Sequence, residues 1–136
     1  MREKLFNAFP SIAERELSDE YIKEHYDLMW DIPKIPLIRA VPLYMLWCIN
    51  HATEEGELVF DNTISALNNY SREKNEREGF KFLCNGEQIA VISEFLQWCK
   101  TNLILDYEPS LSRAIKNWKA LNKSNHLDAQ KARDSV

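Results

Sequence analysis

The segment AVPLYMLWCIN, residues 40–50, limits the folds open to this chain more than any other stretch. From Val41 to Ile49 it has nine apolar or proline positions, whereas a helix that spans a bilayer needs about 20 apolar residues. A membrane-spanning helix is therefore excluded here. Apolar side chains on nearly every side are typical of a central helix surrounded by other helices. Pro42 is expected in the first turn of this helix, where a missing amide costs little.

The composition favours helices in the rest of the chain. Three glycines in 136 residues are too few for the turns of an all-β domain, whereas Glu, Leu, Lys, Ala and Ile recur at helical spacing. We expect an all-α fold, a compact irregular bundle of five to six short helices formed by residues 1–122, with a polar, frayed tail over residues 123–136. The charged N-terminal segment lacks the apolar core of a secretory signal, which predicts a cytoplasmic protein.

Apolar periodicity and capping residues predict where the helices lie. The first half of the chain should contain a short helix that ends before Pro10, a helix over residues 18–29 with Ser18 as N-cap, and an extended connector around Pro33 and Pro36. The central helix should follow, and then a helix over residues 57–70. The next helix should start at a capping box of Asn85 and Gln88, and the last helix should start near Pro109.

Two groups of large apolar side chains are expected to be buried. The connector should be anchored in the core by Trp30, Ile32 and Ile35, since a loop rarely leaves such side chains in water. The central helix and the capping-box helix are the most apolar of the chain, so their side chains should share one core. The residues in question are Leu46, Trp47, Ile92 and Phe95.

Cys48 and His51 lie three residues apart and would share a helix face, as two metal ligands can. A closed zinc site needs four ligands, usually in two close pairs, and the remaining cysteines and histidines offer no second pair. We therefore predict no metal, no cofactor and three free cysteines. Glycine-rich phosphate loops, nucleophile elbows and zinc-hydrolase motifs are missing as well, so no catalytic residue is predicted.

Charge is distributed unevenly along the chain. Residues 1–112 contain 11 Lys or Arg against 19 Asp or Glu, a balance of −8, whereas residues 113–136 contain 6 against 2, a balance of +4. An acidic body would repel a nucleic-acid duplex over most of its surface, so we expect no nucleic-acid partner although the last helix is basic.

Two acidic clusters stand out, one within residues 14–27 and one that consists of Glu54, Glu55, Glu57 and Asp61. Whether they share one face stays open.

The order of WDIP, the AVPLYMLWCI helix and the EQIAVISEFLQW helix resembles a family of small uncharacterised bacterial all-α domains of unknown function. In that family a Trp-containing loop precedes a proline-bearing central helix, and a Gln-containing amphipathic helix follows. The resemblance covers about residues 5–103. It implies a helical domain and a bacterial source, and it assigns no catalytic residues.

Small size, an acidic body and the missing catalytic motifs favour a non-enzymatic protein-binding domain. The most concrete hypothesis is an acidic immunity or inhibitor protein that covers a basic toxin through Glu54, Glu55, Glu57 and Asp61, because acidic clusters attract basic partners. No membrane partner is expected, and the oligomeric state is left open. The alternative is a small-ligand-binding protein or an enzyme with an aromatic-lined pocket. Its predicted lining is Trp30, Tyr44, Trp47 and His51.

Overall fold

The structure is a computed structural model that describes residues 1–54 and 57–134. Within these residues it has seven α-helices, one 3-10 helix and no strand, which confirms the predicted all-α fold. The elements are α1 (Arg2–Ala8), the 3-10 helix (Pro10–Glu14), α2 (Asp19–Glu24), α3 (Leu37–Asn50), α4 (Leu58–Ser71), α5 (Phe80–Leu83), α6 (Gly86–Asn102) and α7 (Ser110–Asp134). The single turn of α5 was missed by the sequence patterns.

Helix α3 forms the centre of the bundle, with every residue from 40 to 48 buried. It contacts α1, the 3-10 helix, α2, α4 and α5, so almost every side of it faces another element. Trp47 and Phe95 are both buried in one core cluster, together with Leu46 and Ile92, as the sequence predicted. No helix in the described part of the chain is both long and apolar enough to cross a membrane.

Helix α7 packs against both α4 and α6 and closes the other side of the bundle. Its apolar stripe places Leu111, Ala114 and Trp118 in the core. The indole N–H of Trp118 donates to the main-chain oxygen of Leu67 at 2.8 Å. A buried indole usually has such a partner, because an unpaired N–H in the core costs free energy.

The predicted helix caps of α2 and α6 are both present. The Ser18 hydroxyl accepts a hydrogen bond from the Tyr21 amide at 3.1 Å. At the start of α6, the Asn85 side chain accepts from the Gln88 amide at 2.8 Å and the Gln88 side chain accepts from the Asn85 amide at 2.9 Å. Gln88 also donates its side-chain amide to the main-chain oxygen of Ala8 at 3.1 Å, which ties α6 to the end of α1.

The connector between α2 and α3 differs from its prediction. Helix α2 ends at Glu24 rather than at residue 29, because the Tyr44 hydroxyl binds the main-chain oxygen of His25 at 2.6 Å and the chain then turns at Asp27. This turn directs Trp30 and Ile32 into solvent, where they are 84% and 81% exposed. Their predicted burial is therefore wrong. The connector is held instead by buried Pro33 and half-buried Ile35.

Pro42 lies in the second turn of α3 and not in the first. Pro36 takes the N-cap position, and its oxygen accepts hydrogen bonds from the amides of Arg39 and Ala40, each at 2.9 Å. Pro36 already has the backbone angles of a helix N-cap, so the helix begins at Leu37, five residues before a start at Pro42.

Helix α7 continues past residue 122 to Asp134, where the sequence predicted a frayed tail. The chain stays close to α6 beyond this boundary: a Cβ atom on Gly86 would lie 2.4 Å from Nδ2 of Asn125. The missing side chain of Gly86 thus leaves room for the Asn125 side chain beside the start of α6.

Candidate binding site

A cleft between the start of α4 and the loop after α6 has an apolar floor and an acidic rim. It has a volume of about 630 Å³ and is hereafter called the acid-rimmed cleft. Its lining consists of Glu57, Leu58, Asp61, Ile104, Leu105, Asp106 and Tyr107. Leu58 and Ile104 are each 52% exposed and Leu105 is 48% exposed. Three large apolar side chains open to water within one cleft are typical of an interaction site rather than of scattered surface residues.

Two elements bring this cleft together. Glu57 is the N-cap residue of α4, so Leu58 and Asp61 stand on the first turn of that helix. Residues 104–107 form the loop that follows α6 and leads into α7. The loop is anchored at both ends, because Leu103 is buried and the ring of Tyr107 packs against Phe60 at 6.1 Å between centroids. The two halves of the cleft are therefore held in place by the core.

Burial and nearby acidic groups act together on the tyrosine that lines the cleft. Burial and then the neighbouring Cys48 and Asp61 raise the pKa of the Tyr107 hydroxyl. Asp106 accepts a hydrogen bond from the Glu108 amide at 3.2 Å through one oxygen. Asp61 and Asp106 are both exposed. Lys23 lies beside this rim, with its Nζ 3.5 Å from Oε1 of Glu57.

A second, smaller cleft lies around His51 and is hereafter called the histidine cleft. It has a volume of about 290 Å³, and its lining consists of Asp19, Glu20, Lys23, Trp47, His51 and Glu54. The His51 ring stacks on Trp47 with 4.1 Å between centroids. Its Nδ1 lies 2.5 Å from Oε2 of Glu54, and its Nε2 lies 3.7 Å from Oδ2 of Asp19. The imidazole is thus held between two carboxylates.

The two acidic clusters of the sequence meet at this point. Asp19 and Glu20, from the first cluster, line the histidine cleft together with Glu54 from the second. Lys23 lines the same cleft and pairs with Glu57, which lines the acid-rimmed cleft. The predicted partner-binding residues Glu54, Glu57 and Asp61 therefore lie along one connected surface. The fourth, Glu55, lies outside the described residues.

The four residues predicted to line the alternative pocket lie in different places in the structure. Trp47 and His51 share the histidine cleft. Tyr44 is buried and uses its hydroxyl on the main chain of His25, and burial raises the pKa of that hydroxyl. Trp30 is exposed on the connector. A single pocket lined by all four residues is therefore not formed.

The three cysteines are free thiols in the structure. Burial raises the pKa of Cys48 to about 12 and the pKa of Cys84 to about 12, and it raises the pKa of Cys99 well above its ordinary range. In the described part of the chain, no three His, Cys, Asp or Glu side chains are grouped so that they could hold a metal ion.

Sequence reasoning missed Leu58, Ile104, Leu105 and Asp106 as site residues. The segment LILDYEP carries a weak signal, because three adjacent apolar residues precede an acidic one in a segment that ends at a proline. What the sequence could not supply is the pairing of this loop with the first turn of α4, about 45 residues earlier in the chain.

Comparison of the chain with known proteins assigns it to no family. No model of a known protein family, no curated protein and no solved structure matches the chain.

Proposed function

We propose that this chain is a non-enzymatic domain that binds a basic protein through the acid-rimmed cleft, in the manner of an inhibitor or immunity protein. The observation that carries the proposal is the presence of exposed Leu58, Ile104 and Leu105 in one cleft that three carboxylates also line. Unpaired thiols are typical of a reducing compartment, and we accordingly propose that the domain acts in the cytoplasm.

The chemistry of the cleft selects the partner. A partner that covers the exposed side chains of the apolar floor stabilises the complex by about 25 cal/mol per Å² of apolar surface removed from water. Its rim adds charge complementarity, which favours Lys and Arg around the apolar contact and disfavours acidic partners. An amphipathic segment with one apolar face and flanking basic residues satisfies both requirements. We therefore propose a basic amphipathic helix of a partner protein as the occupant.

Steering by charge should contribute mainly to the rate of association. Glu57, Asp61 and Asp106 surround the cleft, and the acidic residues of the histidine cleft extend the negative surface beside it. Such a surface accelerates encounter with a basic partner, and its effect weakens as salt screens the charges. The apolar floor should instead determine how slowly the complex dissociates.

A synthetic amphipathic helical peptide made of Leu and Lys provides a defined probe. We expect saturable binding, with backbone amide signals that shift at Leu58, Ile104 and Leu105 in a nuclear magnetic resonance titration. The variant Leu105→Ser should weaken binding chiefly by raising the dissociation rate. The double variant Asp61→Lys, Asp106→Lys should lower the association rate and remove most of its salt dependence.

Glu87→Lys is the matched control, because Glu87 is an exposed carboxylate at the start of α6 that does not line the cleft. This variant should bind the peptide nearly as the parent protein does. Glu87→Lys changes the net charge half as much as the double variant does, so peptide binding that it weakens about half as much would reflect net charge alone and would overturn the proposal. So would saturable binding that shifts no signal in the cleft.

The stacked Trp47 and His51 in the histidine cleft favour a second candidate function, binding of a small ligand. Aromatic surface beside a few converging polar groups is typical of ligand pockets, although about 290 Å³ is at the lower end of their size. A thermal-shift screen of metabolites tests this alternative. Stabilisation by one compound that is lost in His51→Ala but kept in Asp61→Lys would support it over the protein-binding proposal.

A further inference from the structure

A groove between the end of α4 and the first half of α7 concentrates positive charge on an otherwise acidic protein. Hereafter called the basic groove, it has a volume of about 430 Å³. Its lining consists of Asn68, Arg72, Arg113, Lys116 and Asn117. All three charged residues of the lining are cationic. We propose that the basic groove binds a small anion that carries two linked phosphate groups.

The cations of the groove are exposed and have no acidic partner in the structure. Among the described residues, no carboxylate forms an ion pair with Arg72, Arg113 or Lys116. Glu73 follows Arg72 directly in the chain, but its Oε1 accepts the Phe80 amide at 3.2 Å. Three like charges around one groove repel each other, and an anion between them would relieve that repulsion.

The floor of the groove is polar and its atoms are held in place. Asn117 donates to the Ser71 hydroxyl at 3.1 Å, and its contact with the Asn68 side-chain oxygen is 3.5 Å long. Asn68 lines the groove and is 7% exposed, and its side-chain N–H group donates to no described residue but still reaches water. A ligand oxygen in the groove would take the place of that water.

The negative end of the α4 dipole accounts for Arg72, its C-cap residue, but not for Arg113 and Lys116 on α7. Lys81 already donates to the main-chain oxygen of Ser71, in the last turn of α4, at 3.0 Å. This contact supplies a cation to the helix end from the side of α5. The basic groove itself is formed by residues of α4 and α7 and by Arg72, the C-cap of α4.

The composition of the groove indicates the class of ligand. Arg72 and Arg113 offer planar forks that suit phosphate oxygens, Lys116 adds a point charge, and the two asparagines add neutral donors. A diphosphate brings close to three negative charges near neutral pH, which matches the three cations. The groove is also larger than one phosphate group requires.

The groove is separate from the acid-rimmed cleft, so the two proposals can fail independently. Asp61 and Arg72 lie near opposite ends of α4, about 16 Å apart along its axis. Charge variants of one site therefore serve as background controls for the other.

The test is a titration of the full chain with sodium pyrophosphate, followed by nuclear magnetic resonance and compared with sodium chloride at matched ionic strength. We expect saturable shifts of the side-chain amide signals of Asn68 and Asn117. The double variant Arg113→Gln, Lys116→Gln should weaken binding by on the order of a hundredfold, since each lost hydrogen bond to a charged group weakens it about tenfold. Arg72→Gln removes a cation from the other wall of the groove. It tests the same prediction in case the double variant in α7 fails to fold.

Lys119→Gln is the matched control, because Lys119 is exposed on α7 but does not line the groove. This variant should keep the parent affinity. Two further probes define the ligand: adenosine diphosphate should bind about as tightly as pyrophosphate, and inorganic phosphate should bind more weakly. Shifts that sodium chloride reproduces, or binding that survives the loss of Arg113 and Lys116, would overturn the site. Equal affinity for phosphate and pyrophosphate would overturn the assignment to a diphosphate.

Discussion

Trp118 donates its indole N–H to the main-chain oxygen of Leu67 at 2.8 Å, and this bond joins α7 to α4 inside the core. Both residues are fully buried, and the Trp118 ring also meets Phe80 edge-on at 6.2 Å. The contact explains how a helix of mostly polar composition is attached to the bundle: one large side chain supplies apolar area and a directed hydrogen bond together.

Trp118→Phe should lower the free energy of unfolding by about 2 kcal/mol, because it removes a buried donor and leaves a gap where the larger ring was. Urea denaturation followed by circular dichroism measures this change. Trp30→Phe is the matched control. Since Trp30 is exposed to solvent, its variant should stay within about 0.5 kcal/mol of the parent protein. Equal losses in both variants would contradict the assigned role of the Trp118 bond.

Gln88→Glu separates the two functions of Gln88. A glutamate can still accept from the Asn85 amide and suits the positive end of the α6 dipole. It cannot donate to the main-chain oxygen of Ala8, and it places a carboxylate beside that oxygen. We expect the free energy of unfolding to fall by about 1 kcal/mol or more. Unchanged stability in urea denaturation would show that the link to α1 contributes nothing.

Stability should fall as pH rises above about 9, the ordinary pKa of a thiol. In the folded chain the pKa values of Cys48 and Cys84 are about 12, so these thiols ionise first in the unfolded chain. Each then lowers the free energy of unfolding by about 1.4 kcal/mol per pH unit between the two values. Urea denaturation at a series of pH values measures the slope. Cys84→Ala should reduce it, and an unchanged slope would contradict the raised pKa.

Lys23→Gln should increase the association rate with the Leu and Lys peptide. Lys23 is the cation beside Glu57, and its removal makes the surface around the acid-rimmed cleft more negative. We expect a rate increase of about twofold at low salt that disappears at high salt. Stopped-flow fluorescence measures this rate. Lys100→Gln, on the outer face of α6, changes net charge equally and should leave the rate nearly unaltered.

The predictable part of the fold was the part governed by local periodicity. Ile92 and Phe95 lie on one stripe of α6, and a stripe of this kind must face a core whatever the topology. The capping box of Asn85 and Gln88 is local as well, because both of its hydrogen bonds lie within one helical turn. Such features depend on neighbours in the chain, and the sequence therefore indicates them directly.

The features that were not predictable depend on contacts distant in the chain. The exposure of Trp30 follows from a turn that is set by the Tyr44 hydroxyl, 19 residues beyond His25. The acid-rimmed cleft requires the loop after α6 to meet the start of α4. Composition shows that an acidic surface exists, but only the packing of helices decides which apolar side chains stand inside it.

Pro42 gives the central helix two regions of different hydrogen-exchange behaviour. Proline has no amide, so the main-chain oxygen of Ile38 lacks its normal helical donor in the second turn of α3. The hydrogen bonds of the first turn can therefore open without breaking those donated by residues 46–48, whose acceptors are the oxygens of residues 42–44. Amides of residues 39–41 should exchange with deuterium through this local opening, whereas those of residues 46–48 should exchange only when the whole core unfolds.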